Sequence, residues 1–226
     1  MAETQKPLVI WGATGQALVL AEFAPALGLR VVALIDRDPE VRSTLPGVPI
    51  FHGVEGFDRF LAEHGGGGLA GAAAIGGWRG RDRLDVLALM RSRGLGAPAL
   101  VHPRAWVAAD AMVSEGAQVM AGASVATRVR IAEGVIANTG CTIDHECDIG
   151  AGAHIAPGAV LAGCVQVGDR AFVGPGAVVL ARVRIGAGAI IGAGAVVTTD
   201  VPDRVVVYGS PAKVIRAVED DPGPVQ

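Results

Sequence analysis

Residues 131–161 read IAEGVIANTGCTIDHECDIGAGAHIAPGAVL, and a spacing of six residues runs through them. Val, Ile or Leu stands at every sixth position, with the single exception of Ala137. The same register continues in both directions over 101–197, where one of these three residues occupies sixteen of seventeen positions. A short fixed period of this kind is typical of a solenoid, in which each repeat buries its apolar residue against its neighbours.

A longer period of eighteen residues is superimposed on the first. Gly dominates three positions after each aliphatic residue, which indicates a tight corner with unusual backbone angles. Small or slim residues such as Ala153 follow one position later. The residues that replace the corner glycine recur every eighteen positions: Asp110, Arg128, Glu146, Cys164, Arg182 and Asp200. We therefore predict a three-sided coil with three hexads per turn, a thin core and one corner unlike the other two.

The segment before the repeats, residues 1–98, is typical of a βαβ unit and its extension. We predict strands over 8–11, 31–35 and 72–75, and helices over 16–27, 57–64 and 81–93.

A glycine turn follows the first predicted strand at Gly12–Gly15. Its backbone N–H groups at a helix N-terminus would suit a phosphate, and Asp36 stands where a ribose hydroxyl would be held. Because Thr14 and Ala17 replace glycines of the dinucleotide fingerprint, a nucleotide attached to a sugar fits better than a dinucleotide cofactor. A turn that merely shapes the backbone is the alternative interpretation.

Composition narrows the range of partners. The 226 residues carry a formal net charge of −3 and no basic block, which disfavours nucleic acid. No apolar stretch reaches the ~20 residues that a bilayer span needs. The N-terminus shows no secretory signal, and the three cysteines fit buried thiols in a reducing compartment. These features predict a cytoplasmic protein.

His145 is the strongest candidate for chemistry, because it lies at the unusual corner of the coil. A neighbouring carboxylate, Glu146 or Asp144, could fix its tautomer and raise its basicity, as a general base requires. Gly163, one coil further on, would leave space for a thioester and offer a free N–H to an oxyanion. A solvated His–Glu pair without function is the alternative.

His154 belongs to a second stack of residues spaced by eighteen. We predict that this stack faces solvent and forms a subunit contact, although a histidine that caps an apolar seam is equally consistent. His145 and His154 are nine residues apart, half a coil, so we expect no zinc site and no resident metal. The other members of the stack are Gln118, Ile136, Phe172 and Ile190.

Several motifs together resemble the sialic-acid O-acetyltransferase-like group of hexapeptide-repeat sugar acetyltransferases. The resemblance implies a Rossmann-like nucleotide-sugar-binding domain over 1–98, a left-handed parallel β-helix over 99–202, and a C-terminal tail over 203–226. The motifs are Gly12–Gly15, Ala74–Gly76, Asn138–Thr139, Asp144–Cys147, His154, Gly163 and Tyr208–Lys213.

The resemblance also implies a function. Members of one branch use acetyl-CoA to acetylate the 4-amino group of nucleotide-linked sugars, as homotrimers with active sites between subunits. In such enzymes the residue matching His145 is the base and the one matching Glu146 increases its basicity. Acetyl-CoA would meet positions matching His154, Gly163, Pro175 and Ala193. The nucleotide sugar would meet positions matching Thr14, Gly15, Gln16, Asp36, Arg37, Gly76 and Asn138.

Gln16 and Arg37 differ from the residues that the group often carries at these positions. Both lie on the nucleotide side, so the differences concern which nucleobase or sugar is bound. Three other functions stay open: a sialic acid type O-acetyltransferase, a zinc hydratase of the γ carbonic anhydrase type, and a non-catalytic scaffold that binds a sugar nucleotide.

Overall fold

The computed structural model describes residues 5–219. Its N-terminal part holds a four-stranded parallel sheet, sheet A, in the order β3-β2-β1-β4. The strands are β1 Lys6–Trp11, β2 Leu29–Asp36, β3 Ile50–His52 and β4 Ala70–Ala73. The helices are α1 Gly15–Phe23, extended by a 3₁₀ turn over Ala24–Leu27, then α2 Gly53–His64 and α3 Gly80–Ser92. The sequence predicted all of these elements except β3, whose three residues are only half-buried.

Strand β1 is buried on both faces, as parallel strands between helices are. Leu8 and Ile10 belong to the core on one face of sheet A, together with Leu20 of α1. Val9 and Trp11 belong to the core on the other face, together with Phe57 of α2. This arrangement leaves the glycine turn after β1 at the carboxyl edge of the sheet.

Seventeen two-residue strands follow at six-residue intervals within the described chain, and the second residue of each is the predicted inward aliphatic position. Their three parallel sheets form the left-handed parallel β-helix, so the predicted fold class is confirmed. Strands β5 to β21 are Leu100–Val101, Trp106–Val107, Met112–Val113, Gln118–Val119, Ser124–Val125, Arg130–Ile131, Ile136–Ala137, Thr142–Ile143, Asp148–Ile149, His154–Ile155, Val160–Leu161, Gln166–Val167, Phe172–Val173, Val178–Val179, Arg184–Ile185, Ile190–Ile191 and Val196–Val197.

Successive strands pass in turn to the three sheets of the prism. Sheet B begins with β5, sheet C with β6 and sheet D with β7, and every third strand joins the same sheet. The chain therefore turns at a B–C corner, a C–D corner and a D–B corner in each coil. Partners within a sheet are eighteen residues apart, as in the pair His154 and Ile136.

The C–D corner is the one that the sequence marked as unusual. Arg128, Glu146, Cys164 and Arg182 adopt φ values of 58°, 59°, 61° and 64° there. Non-glycine residues seldom enter this left-handed region, whereas the other corners use Gly at almost every turn. The eighteen-residue stack of polar residues therefore forms one continuous edge of the prism.

The N-terminal domain covers the first half of sheet B. Gln118, Ile136 and His154 are only 1%, 0% and 5% exposed. Gln118 donates to the carbonyl oxygen of Ala73 at 2.7 Å, and Ile136 joins the core beneath α1. The prediction that this stack faces solvent as a subunit contact is therefore wrong for these three residues. The repeat pattern offered no packing partner for the apolar residues of this stack other than a second subunit. In the structure, the N-terminal domain of the same chain packs against them.

A hairpin that the sequence did not predict follows the last coil of the β-helix. Strand β22, Val205–Gly209, pairs in parallel with β20, and β23, Ala212–Ala217, returns antiparallel beside it. The hairpin extends sheet B beyond the last coil. Residues 1–4 and 220–226, the second of which belongs to the predicted C-terminal tail, lie outside the described residues. No helix within residues 5–219 is long and apolar enough to span a bilayer.

Candidate active site

The C–D corner brings His145, Glu146 and Gly163 together. His145 and Glu146 follow strand β12. Gly163 occupies the position equivalent to His145 in the next coil. The Cys164 N–H donates to the His145 carbonyl at 2.8 Å, and the Glu146 N–H donates to the Thr127 carbonyl at 3.0 Å. Because these ladder bonds fix both coils, the side chains project from a rigid backbone.

The contact between His145 and Glu146 determines which imidazole nitrogen is basic. Nδ1 of His145 lies 3.2 Å from Oε2 of Glu146. An ionised carboxylate can only accept a hydrogen bond, so Nδ1 carries the proton and Nε2 keeps its lone pair. Oε1 of Glu146 is held in turn by Arg128 at 3.1 Å. When the ring is neutral, this geometry therefore leaves Nε2 free to accept a proton.

Nε2 points across the corner toward Gly163. A Cβ placed on Gly163 would overlap Nε2 of His145 and would lie 2.6 Å from Cε1. Among residues 5–219, no acceptor binds the Gly163 N–H, although the carbonyl of Gly163 accepts from Arg182 at 3.0 Å. The space that we predicted for a thioester therefore holds the imidazole itself, and the N–H beside it is available to an oxyanion.

The three cysteines divide into two kinds. Cys141 and Cys147 lie in the core, and burial raises the pKa of their thiols to about 12 and about 11. Cys164 lies at the C–D corner, with its sulfur 3.9 Å from Oε2 of Glu146. The prediction of buried thiols is therefore confirmed for Cys141 and Cys147, whereas Cys164 is only half-buried.

His154 lies beside the B–C corner and is bonded at both nitrogens. Nδ1 is 3.0 Å from the Gly77 carbonyl oxygen, so it donates, and Nε2 accepts from Nδ2 of Asn138 at 3.0 Å. Burial lowers the pKa of His154 to about 4, and the nearby Arg83 cation acts in the same direction, whereas the bond to Gly77 opposes them. His154 is therefore a neutral, fixed hydrogen-bonding group at neutral pH.

Arg83 joins the two domains next to this histidine, although nothing in the sequence singled it out. Its guanidinium is fully buried and donates at 2.6 Å to the carbonyls of Ile75, Gly134 and Gly152. Ile75 belongs to the loop after β4, and Gly152 precedes His154. Burial lowers the pKa of Arg83 to about 10, despite the nearby Asp82 carboxylate. Arg83 thus fixes the loop and the histidine relative to each other.

A cavity of about 130 Å³ opens at the carboxyl edge of sheet A. Thr14, Asp36, Arg37 and Gly76, all predicted to meet a nucleotide sugar, line it together. Asp36 is engaged there, since Oδ2 accepts from the Ala13 N–H at 2.9 Å and so fixes the glycine turn. Trp11 and Arg79, which the sequence did not single out, also line this cavity. Arg79 could have been suspected from its position just after Gly76–Gly77 at a predicted strand end.

The other three residues predicted for the nucleotide sugar, Gly15, Gln16 and Asn138, do not line this cavity. Gly15 is the first residue of α1. The Gln16 amide donates to Oε1 of Gln118 at 2.8 Å and so contributes to the contact between domains. A larger cavity of about 360 Å³, lined by Trp78, Arg81, Tyr208 and others, contains none of the predicted site residues.

The predicted acetyl-CoA positions divide between two edges of the prism. Gly163 lies with His145 at the C–D corner, whereas Pro175 and Ala193 are exposed along the B–C corner, the edge where His154 meets Asn138. Sheet C separates these edges within one chain. The two groups can therefore form one site only if two copies of the chain meet edge to edge.

Comparison with known proteins identifies the family of this chain. Residues 164–199 match the family described as bacterial transferase hexapeptide (six repeats). PerB from Caulobacter crescentus, solved in complex with CoA and GDP-perosamine, is 39% identical; the match covers 92% of this chain and 96% of PerB, with a TM-score of 0.83. The chain belongs to the hexapeptide-repeat acetyltransferases.

Two further structures agree with this assignment. The acetyltransferase domain of PglB from Neisseria gonorrhoeae, solved with acetyl coenzyme A, is 32% identical; the match covers 93% of this chain and 99% of that domain, with a TM-score of 0.82. A histidine-to-asparagine mutant of the Caulobacter perosamine N-acetyltransferase, also solved with CoA and GDP-perosamine, is 38% identical over 92% of this chain and 96% of that one, with a TM-score of 0.84. A comparison with curated proteins found no match. As an acetyl-CoA-dependent acetyltransferase, this chain is an enzyme.

Proposed function

We propose that this acetyltransferase moves the acetyl group of acetyl-CoA to the amino group of a nucleotide-linked 4-amino sugar. The orientation of His145 carries the proposal, because Nε2 lies against Gly163, whose N–H has no acceptor among the described residues. A base and an oxyanion donor side by side are what the attack of an amine on a thioester requires. The similarity to PerB, solved with GDP-perosamine, makes a GDP-linked 4-amino sugar the first substrate to test.

The reaction follows from these groups in a ternary complex. The neutral sugar amine attacks the thioester carbonyl, and a C–N bond forms while the carbonyl oxygen becomes an oxyanion. Nε2 of His145 takes the proton that the amine loses, and the Gly163 N–H stabilises the oxyanion. The C–S bond then breaks, and the CoA thiolate leaves with the proton returned by the imidazolium. Glu146 stabilises the imidazolium through Nδ1.

The cavity at the edge of sheet A is the proposed nucleotide-sugar site. Thr14 and the first turn of α1 offer backbone N–H groups to phosphate, and Arg37 and Arg79 offer positive charge. The loop that includes Gly76 leads from this cavity to Gly77, whose carbonyl holds His154. The amino sugar would therefore extend toward His154 and Asn138, and acetyl-CoA would follow Pro175 and Ala193 along the B–C corner.

We further propose a homotrimer that packs through sheet C. Its outward residues are mostly apolar and include Trp106 and Val160, which are 59% and 38% exposed. Those of sheet D include Arg130, Asp148 and Arg184, which suit solvent. Packing of sheet C between protomers would bring the C–D corner of one copy near the B–C corner of the next, and so join the two halves of the site. Free thiols and a cytosolic co-substrate favour a cytoplasmic location.

An assay of CoA release tests the proposal. The purified protein is given acetyl-CoA with GDP-, UDP- or dTDP-linked 4-amino sugars, and with the hydroxyl analogue of each sugar. We expect turnover with an amino sugar and a loss of ~10²–10⁴-fold in His145→Ala, with acetyl-CoA binding retained in calorimetry. Preference for the hydroxyl analogue would favour the O-acetyltransferase, and binding without turnover would favour the scaffold. Full activity of His145→Ala would remove His145 from the role of base.

A further inference from the structure

Three different metal-ligating side chains meet at the C–D corner. The donor atoms of His145, Glu146 and Cys164 all lie within 4.8 Å of one another. Oε2 of Glu146 lies 3.2 Å from Nδ1 of His145 and 3.9 Å from Sγ of Cys164. The acetyl-transfer mechanism uses the first two residues, but it has no use for the thiol.

The register of the β-helix makes this cluster rigid. Glu146 and Cys164 occupy the same corner position in successive coils, with φ values of 59° and 61°. The Cys164 N–H donates a hydrogen bond of 2.8 Å to the His145 carbonyl, and this bond links the two coils that carry the three side chains. Donors held on neighbouring rungs need little reorganisation to close around an ion.

The separations suit a tetrahedral ion with short bonds to N, O and S. Zinc binds these atoms at ~2.0–2.3 Å, which places neighbouring ligands of a tetrahedron roughly 3.3–3.6 Å apart. Two of the three separations, 3.2 and 3.9 Å, lie close to this range, and the third, between Nδ1 and Sγ, is within 4.8 Å. A thiolate and a carboxylate would balance the charge of a divalent ion, while Arg128, 3.1 Å from Oε1 of Glu146, opposes it. The thiol favours zinc over Mg²⁺ or Ca²⁺, which prefer oxygen.

We propose that this corner is an inhibitory Zn²⁺ site, in which His145 Nδ1, Glu146 and Cys164 bind the ion and switch off acetyl transfer reversibly. The Cys164 thiol loses its proton to solvent as the S–Zn bond forms. The single proton of the neutral imidazole moves from Nδ1 to Nε2 when Nδ1 binds the ion. Nε2 then has no lone pair with which to accept the proton of the amine, so the base is disabled although the ring stays in place.

Direct binding tests the site without any substrate, so it stands apart from the proposed function. Calorimetry on chelator-treated protein should give one Zn²⁺ per chain with release of about one proton. Co²⁺ in place of Zn²⁺ should show a thiolate-to-cobalt charge-transfer band. Cys164→Ala should lose the band and bind Zn²⁺ at least about tenfold more weakly. Cys147→Ala, which removes a neighbouring core thiol, should bind like the wild type.

Activity measurements then test inhibition, which rests on the proposed function. Zn²⁺ should inhibit the wild type over the range in which it binds, a chelator should restore activity, and Mg²⁺ should have no effect. Cys164→Ala should keep its activity at Zn²⁺ concentrations that silence the wild type. Equal Zn²⁺ binding by Cys164→Ala and the wild type, or a Co²⁺ complex without the thiolate band, would overturn the proposal even if the enzyme acetylates its sugar.

Discussion

The imidazole of His145 fills the space that a side chain at Gly163 would occupy. These residues belong to successive coils and are linked through the hydrogen bond from Cys164 to the His145 carbonyl. The absence of a side chain at Gly163 therefore allows the imidazole to lie across its neighbour, whose N–H has no acceptor among the described residues. The geometry makes the glycine a requirement of the His145 orientation.

Gly163→Ala should displace the imidazole and reduce kcat strongly. The overlap falls on the end of a movable side chain, so the ring should swing away while the backbone stays. A displacement of about 1 Å in a reacting group can cost on the order of 100-fold in rate. Steady-state kinetics should show this loss, and thermal melting should show little change.

The control for this substitution is Gly67→Ala. Gly67 is exposed in the loop after α2, and a Cβ there meets no atom within 4 Å. This variant should match the wild type in both measurements. Normal kcat in Gly163→Ala would show that the position of the ring does not limit the reaction.

Glu146→Gln should reduce kcat by about tenfold or more, because the amide keeps a hydrogen-bond acceptor but loses the charge that stabilises the imidazolium. Hydrogen bonds to a charged group are worth ~1.5–3 kcal/mol, and 1.4 kcal/mol corresponds to tenfold. The KM for acetyl-CoA should change little. Glu133→Gln removes another partly exposed glutamate of the β-helix and should leave kcat unchanged. Equal kcat in both variants would contradict the role of Glu146.

The repeat part of the fold could be predicted because each hexad carries its own signal. The inward aliphatic position and the corner glycine recur so often that a single exception such as Ala137 does not obscure them. The position of His145 beside Glu146 and Gly163 followed from the same register. In a solenoid, the position of each residue in the coil follows from its position in the repeat, so the local sequence is enough to predict it.

Contacts between distant parts of the chain could not be predicted in the same way. The stack that includes Ile136 is apolar, and sequence does not distinguish a partner subunit from a domain of the same chain. Arg83 looks like an ordinary charged residue of an amphipathic helix, since its carbonyl partners at Ile75 and Gly152 carry no side-chain signature. The direction in which Gln16 points likewise depends on how the two domains pack.

Arg83→Met should destabilise the protein and weaken its use of the nucleotide sugar. The substitution leaves three carbonyls without their donor, and each unsatisfied buried group costs ~1–3 kcal/mol. We expect a loss of about 3 kcal/mol or more in urea unfolding. Arg83→Lys keeps the charge but cannot bond all three carbonyls with a planar fork, so it should retain part of the stability.

Kinetic measurements distinguish two roles of Arg83: positioning of the loop after β4, and stabilisation of the fold alone. In folded Arg83→Lys at low temperature, the KM for the nucleotide sugar should rise while acetyl-CoA binding persists, because Ile75 lines the cavity that we propose for this substrate. Arg81→Met lies on the same helix, where Arg81 is 3.9 Å from Asp85 and exposed, and should leave both quantities unchanged. An unchanged KM in Arg83→Lys would reduce Arg83 to a structural role.

His154 should make the protein less stable in mild acid. Its pKa falls from the ordinary 6.5 to about 4 in the folded state, so the unfolded chain binds the proton more readily. Both states hold a neutral ring well above pH 6.5, and stability is then lost as the pH falls from about 6.5 to about 4. A shift of this size corresponds to about 3 kcal/mol at the lower limit.

Urea unfolding between pH 7.5 and 4.5 measures this loss. His154→Gln cannot be protonated, and its free energy of unfolding should depend less steeply on pH than that of the wild type, even if it is lower at pH 7.5. His64→Gln removes an exposed histidine at the end of α2 and should keep the wild-type slope. Parallel curves for His154→Gln and the wild type would mean that the buried imidazole accepts a proton without cost, contrary to its burial and its position beside Arg83.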